Sequence, residues 1–414
     1  MEPVQFNPFD PEFRRDPVPT YTRLREEDPT HRSPLGFWVL SRHADCMAML
    51  HHQRSSSDAR NSSAFAAFAG EMSEQDAAEL EQMRRLRPFL FMDPPDHTRL
   101  RGLVAKAFTP RVVEQLRPRV VELVDELLDR VAERGHIELI EDLAYPLPVR
   151  VISEMLGVPS EDHETFKGWS GELARSLDPE ALVPAEVLER RQQAVLSFHG
   201  YFRGLIAERR VRPQDDLLTA LIAAEDEGHR LAEEELLSTC VLLLVAGHET
   251  TVNLIGNGML ALLRHPNQLR RLRDDPSVAR AAVEELLRFD PPVTLTGRVA
   301  IEDIEVGGIT VEAGEMAVLL LGAANRDPAE FKDPDRLDLT RPDNHHAAFG
   351  HGIHFCLGAP LARLEGQVAF MALAERLKDL ELATDEPEYK ENIVLRGLAA
   401  LPLRFTAAAK AASQ

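Results

Sequence analysis

Two spacings of apolar residues divide the chain. Through most of its length they recur every three or four positions, the period of a helix with one buried face. The stretch 112–135, "VVEQLRPRVVELVDELLDRVAERG", predicts one long helix closed by a glycine. "DPPDHTRLRGLVAKAF" (93–108) predicts a proline turn running into a helix. The longest element is predicted over 232–264, "AEEELLSTCVLLLVAGHETTVNLIGNGMLALLR", with glutamates crowding the first turn, where the helix dipole favours them. "LARLEGQVAFMALAERLKDL" (361–380) predicts a last long helix. Elsewhere the period shortens to two. "FWVLS" (37–41) reads as a strand leading into a helix. "GRVAIEDIEVGGITVEAGEMAVLLL" (297–321) reads as a hairpin turning at Gly307–Gly308 with a neighbouring strand, and "LRGLAALPLRF" (395–405) as a final strand pair. Residues 55–90 are polar, Ala-rich and irregular, predicting loop and short helices. The pattern is mainly α with a small β-rich lobe, and no composition break divides it.

Composition narrows the function classes. The chain has 414 residues, 44% hydrophobic and 28% charged, too apolar for disorder. Its net charge of −21 argues against general binding to nucleic acid or an anionic membrane. The polar, proline-rich start "MEPVQFNPFDPEFRRDP" predicts no signal peptide, and the apolar run "CVLLLVAG" is far shorter than the roughly 20 residues that span a bilayer. Cys46, Cys240 and Cys356 are odd in number and widely spaced, so reduced thiols in a cytoplasm are expected.

Cys356 stands alone in "FGHGIHFCLG" (349–358). A lone cysteine is usually a small buried hydrophobe. His345, His346, His351 and His354 fit no common zinc spacing. A nucleophile would need a base that sequence cannot place. A haem-thiolate ligand accounts for more of the stretch. Gly350, Gly352 and Gly358 allow close backbone approach to a flat cofactor. A helix starting near Leu357 turns its positive end to the sulfur, and Phe349 can shield it from water.

This stretch resembles the haem-binding signature of the cytochrome P-450 superfamily, Phe-Gly-x-Gly-x-His/Arg-x-Cys-x-Gly. Phe349, Gly350, Gly352, His354, Cys356 and Gly358 all match. Three further stretches follow the family's order. "AGHETT" (246–251) is not a zincin motif, since Val252 stands where the second histidine would be, and alone it reads as a polar patch with Thr250 bonded to the Ala246 carbonyl. By resemblance it is the oxygen-activating stretch: Ala246 and Gly247 leave room for dioxygen, Thr250 hydrogen-bonds it and Glu249 relays protons. "EELLR" (284–288) alone is an ordinary i,i+3 ion pair. By resemblance Glu285 and Arg288 are the family's structural pair, with Arg336 of "DPDRLDL" as third member. His97 and Arg101, four apart in "HTRLR", would hold haem propionates together with Arg298 and His354.

The resemblance covers the chain from about residue 30 onward and implies a soluble bacterial-type enzyme. The expectation is one cytochrome P-450 fold over residues 1–414, without a fused reductase, binding haem b and inserting one atom of dioxygen into a small apolar substrate. Cys356 is its axial iron ligand, and Leu242, Val245, Ala246, Thr294, Val394 and Leu395 line its pocket. Polyketide, macrolide, terpenoid and steroid substrates, as in secondary metabolism, all stay open, as does hydroxylation against epoxidation. Two other readings are a peroxide-driven peroxygenase, which would lack the Glu249–Thr250 pair, and a non-catalytic haem sensor. The expected electron donor is a ferredoxin, drawn by Arg99, Arg101, Lys106, Arg111, Arg117 and Arg119, six bases against the single acid Glu114. A cytoplasmic monomer is expected.

Overall fold

The helices that position the site are α1 (His43–His51), α2 (Asp96–Ala107), α3 (Arg117–Asp129), α4 (Pro146–Met155), α5 (His163–Leu173), α6 (Ala185–Val211), α7 (Glu233–Arg264), α8 (Ala279–Phe289) and α9 (Ala359–Arg376). They are seen in a computed structural model that describes residues 4–70, 87–173, 178, 183–226 and 229–407. Of the irregular stretch 55–90, residues 71–86 lie outside the described residues.

Helix α7 is the axis of the molecule. The Glu235 carboxylate accepts the Ala232 N–H at 2.8 Å and so satisfies one orphan donor at its start. Leu236, Leu237, Cys240, Leu244, Val252, Ile255 and Met259 are all buried, and they point to more than one side. A helix apolar all round belongs inside a core, and α4, α6, α8 and α9 pack against this one. At 32 residues α7 is also long and apolar enough to cross a membrane, which the short run "CVLLLVAG" did not convey, but 67% of its most apolar window is buried in protein. It meets α9 closely at Gly258, where a Cβ would fall 2.4 Å from the Phe370 ring.

The predicted helix over 112–135 is two helices. Pro110–Gln115 stops at Leu116, and α3 restarts with Pro118 in its first turn, where a missing N–H costs nothing. The predicted last helix ends early. The helix stops at Arg376, and Lys378–Leu380 instead open a strand that runs to Leu382.

Ten strands are described here: β1 (Thr30–Arg32), β2 (Trp38–Leu40), β3 (Ser55–Ser56), β4 (His136–Glu138), β5 (Thr296–Ala300), β6 (Ile304–Val306), β7 (Ile309–Val311), β8 (Met316–Leu319), β9 (Lys378–Leu382) and β10 (Pro402–Thr406). The larger sheet runs β1-β2-β8-β5-β3, with β2 and β8 parallel. The hairpin β6–β7 turns at Gly307 and Gly308. The predicted strand pair at 395–405 is instead the single strand β10, set between β9 and β4, preceded by isolated bridges from Leu395 to Val293 and from Leu398 to Tyr389.

Candidate active site

Cys356 lies in the loop that feeds α9. Its N–H donates to the Phe349 carbonyl at 2.9 Å, closing the loop on itself. Gly350 and Gly352 have φ of 66° and 69°, a region closed to most side chains. Gly352 has a second reason to be glycine: a Cβ would sit 2.6 Å from the Leu50 carbonyl oxygen, so this residue is fixed by packing on the end of α1. Burial pushes the Cys356 thiol up. The amides of Gly358 and Ala359 and the charges of Arg101 and Arg363 pull the other way, favouring thiolate. The Arg363 guanidinium also lies over the Phe349 ring, 4.5 Å from its centre.

Beside this loop four nitrogen-bearing side chains converge, with Asp93 near enough to favour the charged forms of His97 and Arg298 but, among the described residues, in ion-pair contact with neither. The His97 and His354 rings are 4.2 Å apart. Both ring nitrogens of His97 and Nε2 of His354 are buried without a hydrogen-bond partner. Burial first, then His97, Arg298 and Arg101, push His354 down to about 3. Arg298 is deeply buried and pushed down to about 10, chiefly by burial. Its Nη1 donates to Thr296 Oγ1 and the Gly297 carbonyl, and Arg101 donates to the Phe355 carbonyl. Among the described residues neither arginine has an ion pair with a carboxylate. Stacking like-charged donors in low dielectric is unfavourable unless an anion joins them, so this donor set fits a buried acidic group such as a pair of carboxylates.

On α7, three side chains within residues 248–251 bond back to the turn before. His248 Nδ1 lies 2.7 Å from the Leu244 carbonyl oxygen, Thr250 Oγ1 donates to the Ala246 carbonyl at 2.9 Å, and Thr251 Oγ1 to that of Gly247 at 3.3 Å. Ala246 is exposed although Leu243, Leu244, Val245, His248 and Glu249 around it are buried. Gly247 faces elsewhere: its Cβ direction meets Ile152 of α4 at 3.5 Å. The room expected from Ala246 and Gly247 together is therefore on the Ala246 side. Glu249 is buried, with Oε2 accepting from Lys390 Nζ at 3.0 Å and Oε1 3.4 Å from His248 Nε2. Burial pushes its carboxyl up, but His248 and Lys390 outweigh this and hold it at about 2.

The cytochrome P450 family model matches residues 43–405. The chain belongs to the cytochrome P450 family. It is 45% identical to the cytochrome P450 monooxygenase PikC of Streptomyces venezuelae over 95% of this chain and 92% of that one. It is 43% identical to the vitamin D(3) 25-hydroxylase of Pseudonocardia autotrophica over 96% of both. The structure of the bacillaene polyketide synthase P450 PksS of Bacillus subtilis 168 superposes with a TM-score of 0.87 at 40% identity, covering 97% of this chain and all of that one. The protein is a P450 monooxygenase that binds haem b and uses dioxygen, an apolar substrate and a redox partner.

In this P450 the structural cluster differs from expectation in one member. Arg288 Nε and Nη2 each reach Glu285 at 2.8 Å. The third residue is Arg341, whose Nε lies 3.0 Å from Glu285 Oε2. Arg336 is a correction: its side chain is largely exposed, 3.6 Å from Asp338, and only its carbonyl meets the cluster, accepting from Arg341 at 2.9 Å. "DRLDLTR" offers two arginines five residues apart, and the chain's turn at 336–341 brings the second inward.

The expected pocket residues fall into two groups. Leu242, Val245 and Ala246 are at i, i+3 and i+4 on α7 and share a face. Thr294, Val394 and Leu395 meet where Thr294 donates both its N–H (3.0 Å) and its hydroxyl (3.2 Å) to the Val394 carbonyl, beside the Val293–Leu395 bridge. The one hydroxyl among these six residues is therefore engaged with backbone.

Two site residues escaped sequence reasoning. Lys390 comes from a loop 141 residues beyond Glu249, and no local pattern announces it. Glu365 interrupts the apolar face of α9, a signal that was legible. It is fully buried, and among the described residues neither oxygen has a well-formed hydrogen bond, the Thr251 side chain being its polar neighbour. Burial pushes its carboxyl up to about 8, against a smaller opposing pull from Thr251. A carboxyl raised on folding stabilises fully below its unfolded value near 4.5 and progressively less as pH rises through about 8. Glu365→Gln should remove this loss. In denaturant unfolding, wild type should lose on the order of a few kcal/mol more than the variant between pH 5 and pH 8. Equal pH slopes would show that Glu365 is ionised in the folded protein.

Proposed function

We propose that this P450 oxidises a sizeable apolar molecule of the macrolide or polyketide kind, with Cys356 as axial ligand and Glu249 and Thr250 as its proton-handling pair. The observation that carries the reading is the convergence of four donors beside the Cys356 loop with neither arginine ion-paired among the described residues, together with a face of α7 exposed at Ala246. His97, Arg101, Arg298 and His354 would hold the two haem propionates, satisfying nitrogens that otherwise lack partners. When bound, haem supplies activation of dioxygen, one atom entering substrate and the other leaving as water. Phe349 and Arg363 cover the sulfur and exclude water. Glu249 moves protons at its carboxylate, and the Thr250 hydroxyl passes them toward the Ala246 side. The aliphatic lining supports a substrate with few polar anchors, in keeping with the polyketide named for PksS and the vitamin D(3) named for the Pseudonocardia relative. A screen of macrolactones, linear polyketides and secosteroids for displacement of the haem-bound water tests it. Binding of secosteroids with no macrolactone or polyketide response overturns the substrate class.

Thr250→Ala should fold and load haem normally, since it deletes one back-bond worth about 1 kcal/mol at most. Product per electron should fall and released peroxide rise. An unchanged ratio would move the proton role to another residue.

Electrons are proposed to come from a ferredoxin meeting a cytoplasmic, monomeric enzyme that works as one catalytic unit. The basic run 97–119 is partly neutralised by the fold. Arg99 pairs with Glu235, Arg117 with Glu114, and Arg119 with Glu154 and Glu122. Exposed Arg111 is the docking charge that these acids do not face, and exposed Lys106 lies on the same run. Reversing either to Glu should slow reduction by ferredoxin, and added salt should do the same, because exposed charges are screened beyond about 8 Å at physiological ionic strength. Rates indifferent to both changes place the docking site elsewhere.

A further inference from the structure

The fold gives Glu249 a neighbour with an unusual hydrogen-bond account. His248 is fully buried. Its Nδ1 is 2.7 Å from the Leu244 carbonyl oxygen, an atom that can only accept, so Nδ1 must carry a hydrogen. Nε2 has no ideal hydrogen-bond partner among the described residues. Its polar neighbour is Glu249 Oε1 at 3.4 Å, longer than a well-made charge-assisted hydrogen bond but within ion-pair range. A neutral ring with hydrogen on Nδ1 would turn the Nε2 lone pair toward a carboxylate in a water-poor interior. Two acceptors facing each other there are repulsive. One additional proton between them removes the conflict.

We propose that His248 holds, on Nε2, the proton that Glu249 relays, making it a positioning residue for proton delivery. The inference rests on the reading of Glu249 as the relay acid. Against the upward push of burial, His248 first and then Lys390 hold the Glu249 carboxyl at about 2, so between turnovers the proton shared by the pair rests on the ring and not on Oε1. A proton-bearing ring beside it supplies what it lacks: the proton passes from Nε2 to Oε1, the nitrogen keeps the electron pair, and the ring becomes neutral. The resulting lone pair again faces Glu249, which favours reprotonation. Lys390 is the wet end of the group. Its side chain is 21% exposed against 0% for His248 and 3% for Glu249, so the spent proton is replaced from water on the Lys390 side.

The other titratable groups nearby do not compete for this proton. Tyr145, from the segment before α4, packs edge-on to His248 with ring centres 5.7 Å apart, and its hydroxyl bonds Ser170 Oγ at 2.7 Å. Burial pushes this phenol up, with Glu249, Glu141 and Glu164 adding to the effect, so it stays neutral. Lys390 already donates to Oε2 and leaves Oε1 to His248.

The decisive measurement is the nitrogen spectrum of 15N-histidine-labelled holoenzyme in its diamagnetic reduced, carbon-monoxide-bound form. His248 is assigned by its absence in His248→Asn. Expected at pH 8, where a free imidazole near 6.5 is neutral, is a ring protonated at both nitrogens, becoming neutral in Glu249→Gln. A neutral wild-type ring at pH 8 overturns the proposal. The second measurement is the pH profile of product formed per electron. His248→Asn keeps a donor for the Leu244 carbonyl but has no Nε2, and His248→Gln places an N–H near Nε2 that cannot titrate. Both should lower the ratio about ten-fold at pH 8, less than the roughly 100- to 10,000-fold that a general acid itself contributes, as suits a residue that acts through Glu249. A profile matching wild type in either variant overturns the proposal. If His248→Asn does not fold, the Gln variant serves for both assignment and profile. Failure of the underlying reading looks different: Glu249→Gln would then leave product per electron unchanged, whatever the state of the His248 ring.

Discussion

Cys356→Ala should abolish monooxygenation while leaving the fold in place. The backbone bond from residue 356 to the Phe349 carbonyl does not involve the side chain, and Gly350 and Gly352 set the loop's course without it. The donors at His97, Arg101, Arg298 and His354 also remain, so haem should still load, though less tightly. What is lost is the thiolate that the Gly358 and Ala359 amides and two arginines favour. Outer-shell losses at metal centres cost about 10–100-fold, and loss of the ligand itself should exceed that. Wild type, reduced and bound to carbon monoxide, should show the red-shifted Soret band of thiolate ligation, and the variant should not. Helix content by circular dichroism should match. A variant that keeps the thiolate band, or measurable turnover, would remove Cys356 from the iron.

The chemistry was legible where one short stretch carries it. The residues from Phe349 to Gly358 give the proposed ligand, its glycines and its proposed shield, and His248–Thr251 give the proposed acid and alcohol. Partners from distant elements were not legible. Lys390 reaches Glu249 across 141 residues, and Arg341 rather than Arg336 reaches Glu285 because a turn, not a periodic element, decides which arginine points inward. Gly247 shows the same limit from another side. Its neighbour Ala246 faces the open side, but the 100° step of a helix turns Gly247 onto Ile152.

Fold elements follow the same division. Helix α7 was plain from its length, its period and its first-turn glutamates. The break at Leu116 was hidden because the apolar period runs through Pro118 unbroken, and only the missing N–H separates the two helices. The end of α9 was misplaced because helical and strand periods overlap at Leu377 and Leu380, so tertiary pairing with β10 decides the matter.

Glu285→Ala should be the most damaging substitution outside the haem contacts. The carboxylate accepts from Arg288 twice, from Arg341 Nε at 3.0 Å, from Asn344 Nδ2 at 3.1 Å and from the Asp338 N–H at 2.9 Å. Arg288 is fully buried and spends its other hydrogens on the carbonyls of Asn325 and Pro334. Removing Glu285 leaves two guanidinium groups facing each other with no anion between them. Breaking a buried pair in this way costs about 3–5 kcal/mol, a fifth or more of the roughly 5–15 kcal/mol that holds a domain folded. The cluster ties α8 to the 325–344 segment just before the Cys356 loop, so haem retention should fail along with stability. Expected are little soluble holoenzyme and a much reduced unfolding midpoint. Glu285→Gln should be milder, because it keeps an acceptor for the Asp338 amide while losing the charge. Glu285→Leu with Arg288→Met and Arg341→Leu separates the two costs: if unpaired charge is the main damage, the triple variant should recover much of the stability lost in Glu285→Ala. A Glu285→Ala protein that folds and holds haem as wild type does would mean that the 325–344 segment is held by its backbone bonds alone.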